Sequence, residues 1–191
     1  MAHDPKFQAF TLKSPGTLNR VITDIGVSAA FDPAAPPTPE PTLTGAKALW
    51  DTGATKSVIS TELVKTLALQ PVGVTKVNHA GGEGTSHTYL VNFRLPHAVG
   101  VAGILVAEFP STPGDFGVIV GMDVICLGDF SLTNMDGKTW VSFRMPSCGT
   151  IDYVVEWHKE RYAAISWNSP CPCGAVKPDG SPVKFVQCHG A

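Results

Sequence analysis

No apolar stretch of this 191-residue chain runs far before a glycine or a proline interrupts it. The 19 glycines and 16 prolines leave only short runs between them, and those runs are rich in β-branched residues. Such side chains pack well on a pleated surface, and short runs between turn-formers read as strands. Arg20–Val27, Ala46–Trp50, Val72–Val77, Val101–Phe109 and Phe116–Val120 are the expected strands, and Thr88–Leu95 alternates, with Tyr89, Val91, Phe93 and Leu95 on one face. Between the first two lie prolines 33, 36, 37, 39 and 41. Proline has no N–H to give a ladder, so this stretch is an extended hairpin loop. Met135-Asp136-Gly137-Lys138 marks a second hairpin, between Phe130–Asn134 and Thr139–Arg144. Three segments have helical spacing: Ser57–Leu69 with Ser60 as N-cap, a turn over Met122–Leu127, and a terminal helix over Ile151–Ile165. Residues 1–17 are polar, turn-rich and expected to be peripheral.

Composition narrows the class further. Charged residues make up 16% of the chain, below the roughly 25% of an average soluble domain. Hydrophobic residues make up 43%, enough for a core, and the net charge is −2. There is no basic excess to meet a phosphate backbone, so no nucleic-acid partner is read. No apolar run approaches the ~18 residues of a membrane span, so no membrane partner is read either. Met1–Arg20 lacks the apolar core of a secretory signal, and the expected setting is cytoplasmic. Five cysteines, an odd number, argue against a disulfide framework. Cys126 and Cys148 are expected as small buried apolar residues. The other three fall in the last 21 residues, which suggests a metal cluster.

The chemically informative stretch is Leu49-Trp50-Asp51-Thr52-Gly53-Ala54. An acid follows an apolar strand directly and enters a Thr-Gly turn. Gly53 permits a tight turn, and its N–H is within reach of the carboxylate. Thr52 offers a hydroxyl to lock the loop. The arrangement fixes a carboxylate at the base of a cleft.

This loop resembles the active-site loop of retropepsin-like aspartic proteases, the retroviral-type family with cellular and bacterial members. Val118-Ile119-Val120-Gly121-Met122-Asp123-Val124-Ile125 resembles the family's later motif, apolar residues and a glycine opening a short helix. Gly81-Gly82-Glu83-Gly84 resembles the flap. The resemblance covers about residues 19–146. Retroviral members carry Arg after the second-motif glycine; Met122 stands there in this chain, which places it nearer the cellular members. The resemblance implies a mainly β, closed acid-protease barrel with a short helix after the active-site loop. It implies Asp51, Thr52 and Gly53 as catalytic residues, and Gly81, Gly82, Glu83 and Gly84 as a flap over a peptide substrate. Such chemistry needs two carboxylates sharing one proton, and no catalytic cofactor. The chain holds a single Asp-Thr-Gly, so the second carboxylate is expected from Asp51 of another copy, in a homodimer. The hairpin Phe130–Arg144 is the candidate for dimer contact.

The tail reads Cys171-Pro172-Cys173-Gly174 and then Cys188-His189-Gly190. Three thiolates and an imidazole close a tetrahedral zinc shell with no open position, hence a structural and not a catalytic zinc. The tail resembles the SEC-C motif that ends the SecA translocation ATPase. Fourteen residues separate Cys173 from Cys188, several more than usual in that motif, and Lys177–Pro182 reads as an inserted turn. Cys171, Cys173, Cys188 and His189 are thus the candidate zinc ligands, and the tail is read as docking a partner or substrate. The expected organisation is an extension (1–17), the protease-like domain (18–146), a helical extension (147–168) and the zinc motif (169–191). The alternative reading is a non-catalytic, protease-like dimer that recruits partners through its groove or its tail.

Overall fold

The computed structural model describes residues 6–79, 82–110, 116–161 and 164–188, and for 77–79, 82 and 83 the backbone alone. Its strands are β1 (Gln8–Lys13), β2 (Val21–Ala29), β3 (Thr44–Trp50), β4 (Val58–Ser60), β5 (Gly73–His79), β6 (Gly82–Arg94), β7 (Gly100–Phe109), β8 (Val118–Val120), β9 (Asp129–Met135) and β10 (Lys138–Met145). The helices are α1 (Thr61–Thr66), α2 (Met122–Ile125) and α3 (Tyr153–Arg161), with 3₁₀ turns at Pro96–Ala98 and Phe185–Gln187. Among the described residues no helix is long and apolar enough to cross a membrane.

Strands β2, β3, β8, β4, β7 and β6 neighbour one another in that order, and β6 pairs back onto β2. The sheet therefore closes into a six-stranded barrel, the mainly β architecture that the sequence implies. Its interior is the core: Val27, Val91, Val106, Val118, Val120 and Phe93 are among the side chains removed from water. Strand β2 shows how the pleat fills it, burying Val21, Thr23, Ile25 and Val27 while Asp24 faces out. Strand β5 lies outside the ring and pairs with the first half of β6, up to His79↔Gly82. A separate three-stranded sheet runs β1-β10-β9. At the β9–β10 turn Asp136 (φ 52°) and Gly137 (φ 70°) are both left-handed, as the expected Asp-Gly hairpin requires.

Four local expectations are corrected. The helix read over Ser57–Leu69 occupies only Thr61–Thr66. Val58–Ser60 pair with β7 and β8 instead, so tertiary pairing overrides helical spacing. Ser60 does cap the helix, its hydroxyl accepting from Leu63 N–H. The N-terminal segment is not merely peripheral, because β1 pairs with β10 and inserts Phe10 into the core. Of the four residues read as the flap, Gly82, Glu83 and Gly84 lie in strand β6 as one arm of a hairpin, and Gly81 lies outside the described residues. The terminal helix is shorter than read and buries none of its side chains. Cys126 and Cys148 are exposed, not buried. Cys126 caps the end of α2, of which only Val124 and Ile125 face the core. Cys148 is fixed by its backbone N–H, which donates to Asp129, and its side chain stays outside.

The chain divides into two compact units, residues 1–148 and 149–191. The first holds both sheets. The second holds α3 and the cysteine tail, where short antiparallel bridges join Pro170 to Lys184 and Val176 to Pro182. Among its described residues only Cys171 and Phe185 are buried.

Candidate active site

The path of the chain explains the geometry around Asp51. Strand β3 ends at Trp50 and the chain re-enters the barrel at Val58, two strands further round. Strand β8 lies between, parallel to β3 and antiparallel to β4. The loop 51–57 must therefore pass over the end of β8, where Gly121 stands. A Cβ on Gly121 would sit 2.6 Å from the carbonyl carbon of Lys56 and 2.9 Å from Ala54 O, so only glycine fits beneath the loop. The motif glycine and the acid loop are two sides of one backbone crossing.

Hydrogen bonds fix the crossing. Asp51 N–H donates to Val120 O (3.0 Å), Met122 N–H to Ala54 O (2.8 Å) and Ala54 N–H to Asp51 O (3.2 Å). Two polar side chains that the sequence did not single out complete the lock. Fully buried Ser57 accepts from Gly121 N–H (3.0 Å) and donates its hydroxyl to Asp123 Oδ1 (2.7 Å). Its own N–H lies 3.0 Å from both Asp123 oxygens. The available signals were weak: a serine directly before the apolar pair Val58-Ile59, and an acid in the first turn of a helix. Their pairing across 66 positions is a property of the fold. Trp50 anchors the strand end, its Nε1–H donating to Thr23 Oγ1 (2.9 Å) and its ring stacking on Phe130 at 5.4 Å. Phe10 and Phe143 pack around the same ring.

The carboxylate itself is half-buried, and Gly53 N–H donates to its Oδ1 at 2.8 Å. Thr52 and Gly53 are exposed, and among the described residues the Thr52 hydroxyl has no partner. Asp51 and Gly53 line a groove of about 1100 Å³. The β5–β6 hairpin also lines it, through Val74, Lys76, Gly84 and Thr85. The structure thus brings Asp51, Gly53 and Gly84 to one groove. A smaller cleft of about 400 Å³ borders Asp51 and Thr52 on another side, lined in part by Trp50, Phe130 and Leu132.

One further acid lines the groove, Glu108 at the end of β7. Hydrogen bonds from Thr61 and from Tyr89 Oη (2.8 Å) hold its carboxyl below the usual range, with His87 and Lys65 adding to the effect. Burial and the same carboxylate push the Tyr89 hydroxyl up to about 12.

In the second unit the Sγ atoms of Cys171, Cys173 and Cys188 all lie within 4.8 Å of one another. Cys173 Sγ is 3.3 Å from Cys171 Sγ and 3.6 Å from Cys188 Sγ. Backbone bonds build the cluster: Cys171 N–H donates to Val183 O, Gly174 N–H to Cys171 O, and Cys188 N–H to Phe185 O. The Ala175 backbone and the Cys171 thiol draw Cys173 below the usual thiol range, and the Cys173 sulfur pushes Cys188 up to about 11. A tetrahedral shell with zinc–sulfur bonds of about 2.3 Å has sulfurs about 3.8 Å apart, so this donor set fits a metal ion. His189 lies outside the described residues.

Residues 44–124, from the start of β3 through most of α2, match a family model described as aspartyl protease. A search of curated proteins finds no match. Among solved structures, the chain is similar to a retropepsin-like aspartic protease from Rickettsia conorii, with 10% identity over 75% of this chain and 98% of that one, at a TM-score of 0.46. It is similar to EIAV protease complexed with the inhibitor HBY-793, with 22% identity over 57% and 90% of the two chains and a TM-score of 0.39. The retroviral protease-like domain of Ddi1 from Leishmania major is 12% identical over 64% and 93%, at a TM-score of 0.35.

Proposed function

We propose that this chain is an aspartic endopeptidase acting as a homodimer. The observation that carries the reading is a carboxylate, Asp51, oriented by Gly53 N–H in a peptide-sized groove that a β-hairpin also lines. Two carboxylates close together cannot both ionise, so a pair shares one proton and titrates as a unit. The ionised member takes a proton from water, whose oxygen attacks the scissile carbonyl carbon. The protonated member donates to the carbonyl oxygen, and collapse of the tetrahedral adduct breaks the C–N bond as the amine takes up a proton. One chain supplies one such loop, so the second carboxylate is Asp51 of a second copy. The exposed Thr52 and Gly53 fit that reading. So does β9, which among the described residues pairs only with β10, its outer edge next to the cleft at Phe130 and Leu132. The β5–β6 hairpin, to which Gly82, Glu83 and Gly84 belong, is the flap that closes over a peptide held by strand-like main-chain bonds, and Gly81 is assigned to it from the sequence. In the tail, Cys171, Cys173, Cys188 and His189 hold a structural zinc, and the ordered tail docks a partner or substrate. The setting is cytoplasmic.

The test is a mixing experiment on the full chain with unfolded protein substrates. Asp51→Asn alone is expected to lose at least about a thousand-fold in cleavage, since it removes both halves of the dyad. Mixed with wild type at constant total protein and allowed to exchange, it should lower activity as the square of the wild-type fraction. Cleavage by Asp51→Asn at the wild-type rate would overturn the assignment. A linear fall on mixing would overturn the shared dyad.

A further inference from the structure

We propose that this groove selects peptides carrying acidic side chains on either side of the cleaved bond, and that Lys56 and Lys76 read them. The inference rests on the reading of the Asp51 groove as a peptide site, and deepens it to a substrate class.

The argument is one of charge accounting along the groove. Among the described residues five ionisable side chains line it: Asp51, Lys56, Lys76, His87 and Glu108. Asp51 belongs to the reacting pair. Glu108 is already answered within the chain, by hydrogen bonds from Tyr89 and Thr61 and by nearby His87 and Lys65. Its charge is therefore largely spent on its own neighbours. Lys56 and Lys76 are both exposed, and among the described residues neither ammonium has an ion-pair or hydrogen-bond partner.

Their placement makes them a reading pair. Lys56 sits in the crossing loop, where its backbone is pressed against Gly121 and so held in place. Lys76 stands on β5, paired in register with Thr85 across the hairpin. One lysine comes from the loop that carries Asp51 and the other from the hairpin that lines the same groove. A peptide lying between them takes water from both. An ammonium that loses water without gaining a counter-charge is costly, and one that meets another cation is repelled. A glutamate or aspartate on the peptide answers both losses. Much of the remaining described lining is apolar, Val58 and Ile119 included, so among the described residues the lysines are the groups left to discriminate by charge. A twofold dimer carries one such pair on each side of the dyad, which puts the preferred acids on both sides of the bond.

The test uses labelled synthetic peptides with one apolar centre and Glu, Gln or Lys flanks, binding to full-length Asp51→Asn, which keeps the groove and removes turnover. The Glu-flanked peptide should bind about ten-fold tighter than the Gln-flanked one, the Lys-flanked one should bind weakest, and high salt should compress the spread. Lys56→Glu with Lys76→Glu should invert the order, and the milder Lys56→Gln with Lys76→Gln should abolish the Glu preference. Equal binding of the Glu and Gln peptides, no binding of any of them, or an order that survives both double variants would overturn the proposal. Cleavage of the same peptides by wild type separates the two readings. Asp51-dependent cleavage without charge order removes the inference and leaves the protease. Charge-ordered binding without Asp51-dependent cleavage removes the protease and leaves the groove's preference.

Discussion

The loop at Asp51 and the cysteine cluster both gather chemically active side chains, but they are held in place by different means. The loop lies across a closed barrel. Its backbone is bonded to β8 and α2, and Trp50 beside it is packed among Phe10, Phe130 and Phe143. The cluster sits in a unit whose buried described residues are Cys171 and Phe185. A segment that small has little apolar area to set against its ordering entropy. The difference teaches which site carries its own support. The loop geometry is a product of the core and needs no ligand. The thiol geometry has little core beneath it, and a bound metal would supply the missing support.

The largest effect should therefore fall on the tail. Protein purified without chelator should carry one zinc per chain, and Cys188→Ser should remove it together with the tail's order. A structural zinc contributes on the order of 10 kcal/mol to the fold around it, far more than two buried side chains supply. Limited proteolysis should then cut freely after residue 149, while calorimetry shows the barrel transition unmoved. A tail equally resistant with and without metal would break the comparison.

The next effect tests the barrel side. Gly121→Ala puts a methyl group into the backbone of Lys56 and Ala54. Backbone cannot step aside as a flexible side chain can, so a loss of about 3 kcal/mol is expected in denaturant unfolding. Cleavage should fall with it, because the loop that moves is the one that carries Asp51. Full stability in this variant would show that the crossing is looser than the geometry requires. Ser57→Ala probes the same lock more gently. It leaves Gly121 N–H unpaired in the interior and deprives Asp123 of a hydroxyl, a loss of about 2 kcal/mol. Ser57→Thr keeps the hydroxyl and should recover much of that. An alanine variant as stable as wild type would mean that the backbone bonds alone hold the loop.

These residues also mark how far the sequence could be read. Asp51, Gly53 and Gly121 are legible because they fall in two short motifs that resemble a known family, and at Gly121 the structure adds the reason, a chain crossing with no room for a Cβ. The Asp-Gly hairpin and the proline loop are legible because backbone geometry dictates them. Ser57 and Asp123 escape, since nothing local says that a serine and an acid 66 positions apart will meet. Val58–Ser60 mislead because their spacing suits a helix, and only β7 and β8 turn them into a strand. The core residue Phe10 hides within a polar, turn-rich segment, where one aromatic gives no period to detect. The three tail cysteines are legible from spacing alone, and the structure brings their sulfurs together.

The smallest predicted effect concerns the place where the first unit ends. Asp129 accepts from Ser147 Oγ, from Cys148 N–H and from Arg144 Nε, and these bonds hold its carboxyl down at about 2. The unfolded chain would titrate this group near 3.9. Above that value both states carry the charge, and the bonds stabilise the fold in full. As pH falls from about 4 towards 2, the unfolded chain takes up a proton that the folded one refuses, so stability drops through that window and levels off below it. Asp129→Asn should be less stable than wild type at neutral pH and should lack this part of the acid fall, so that the two unfolding midpoints converge near pH 2. The pair with Arg144 is partly open to water, which keeps the effect below that of either substitution in the loop lock. Chelator should leave it untouched, because every group involved belongs to the barrel's own unit. Curves that stay parallel from pH 5 to 2 would show that Asp129 titrates alike in both states. The close of the first unit would then draw nothing from the ionised form of this carboxyl, unlike the Asp51 loop, whose bonds to Gly121 and Asp123 hold it.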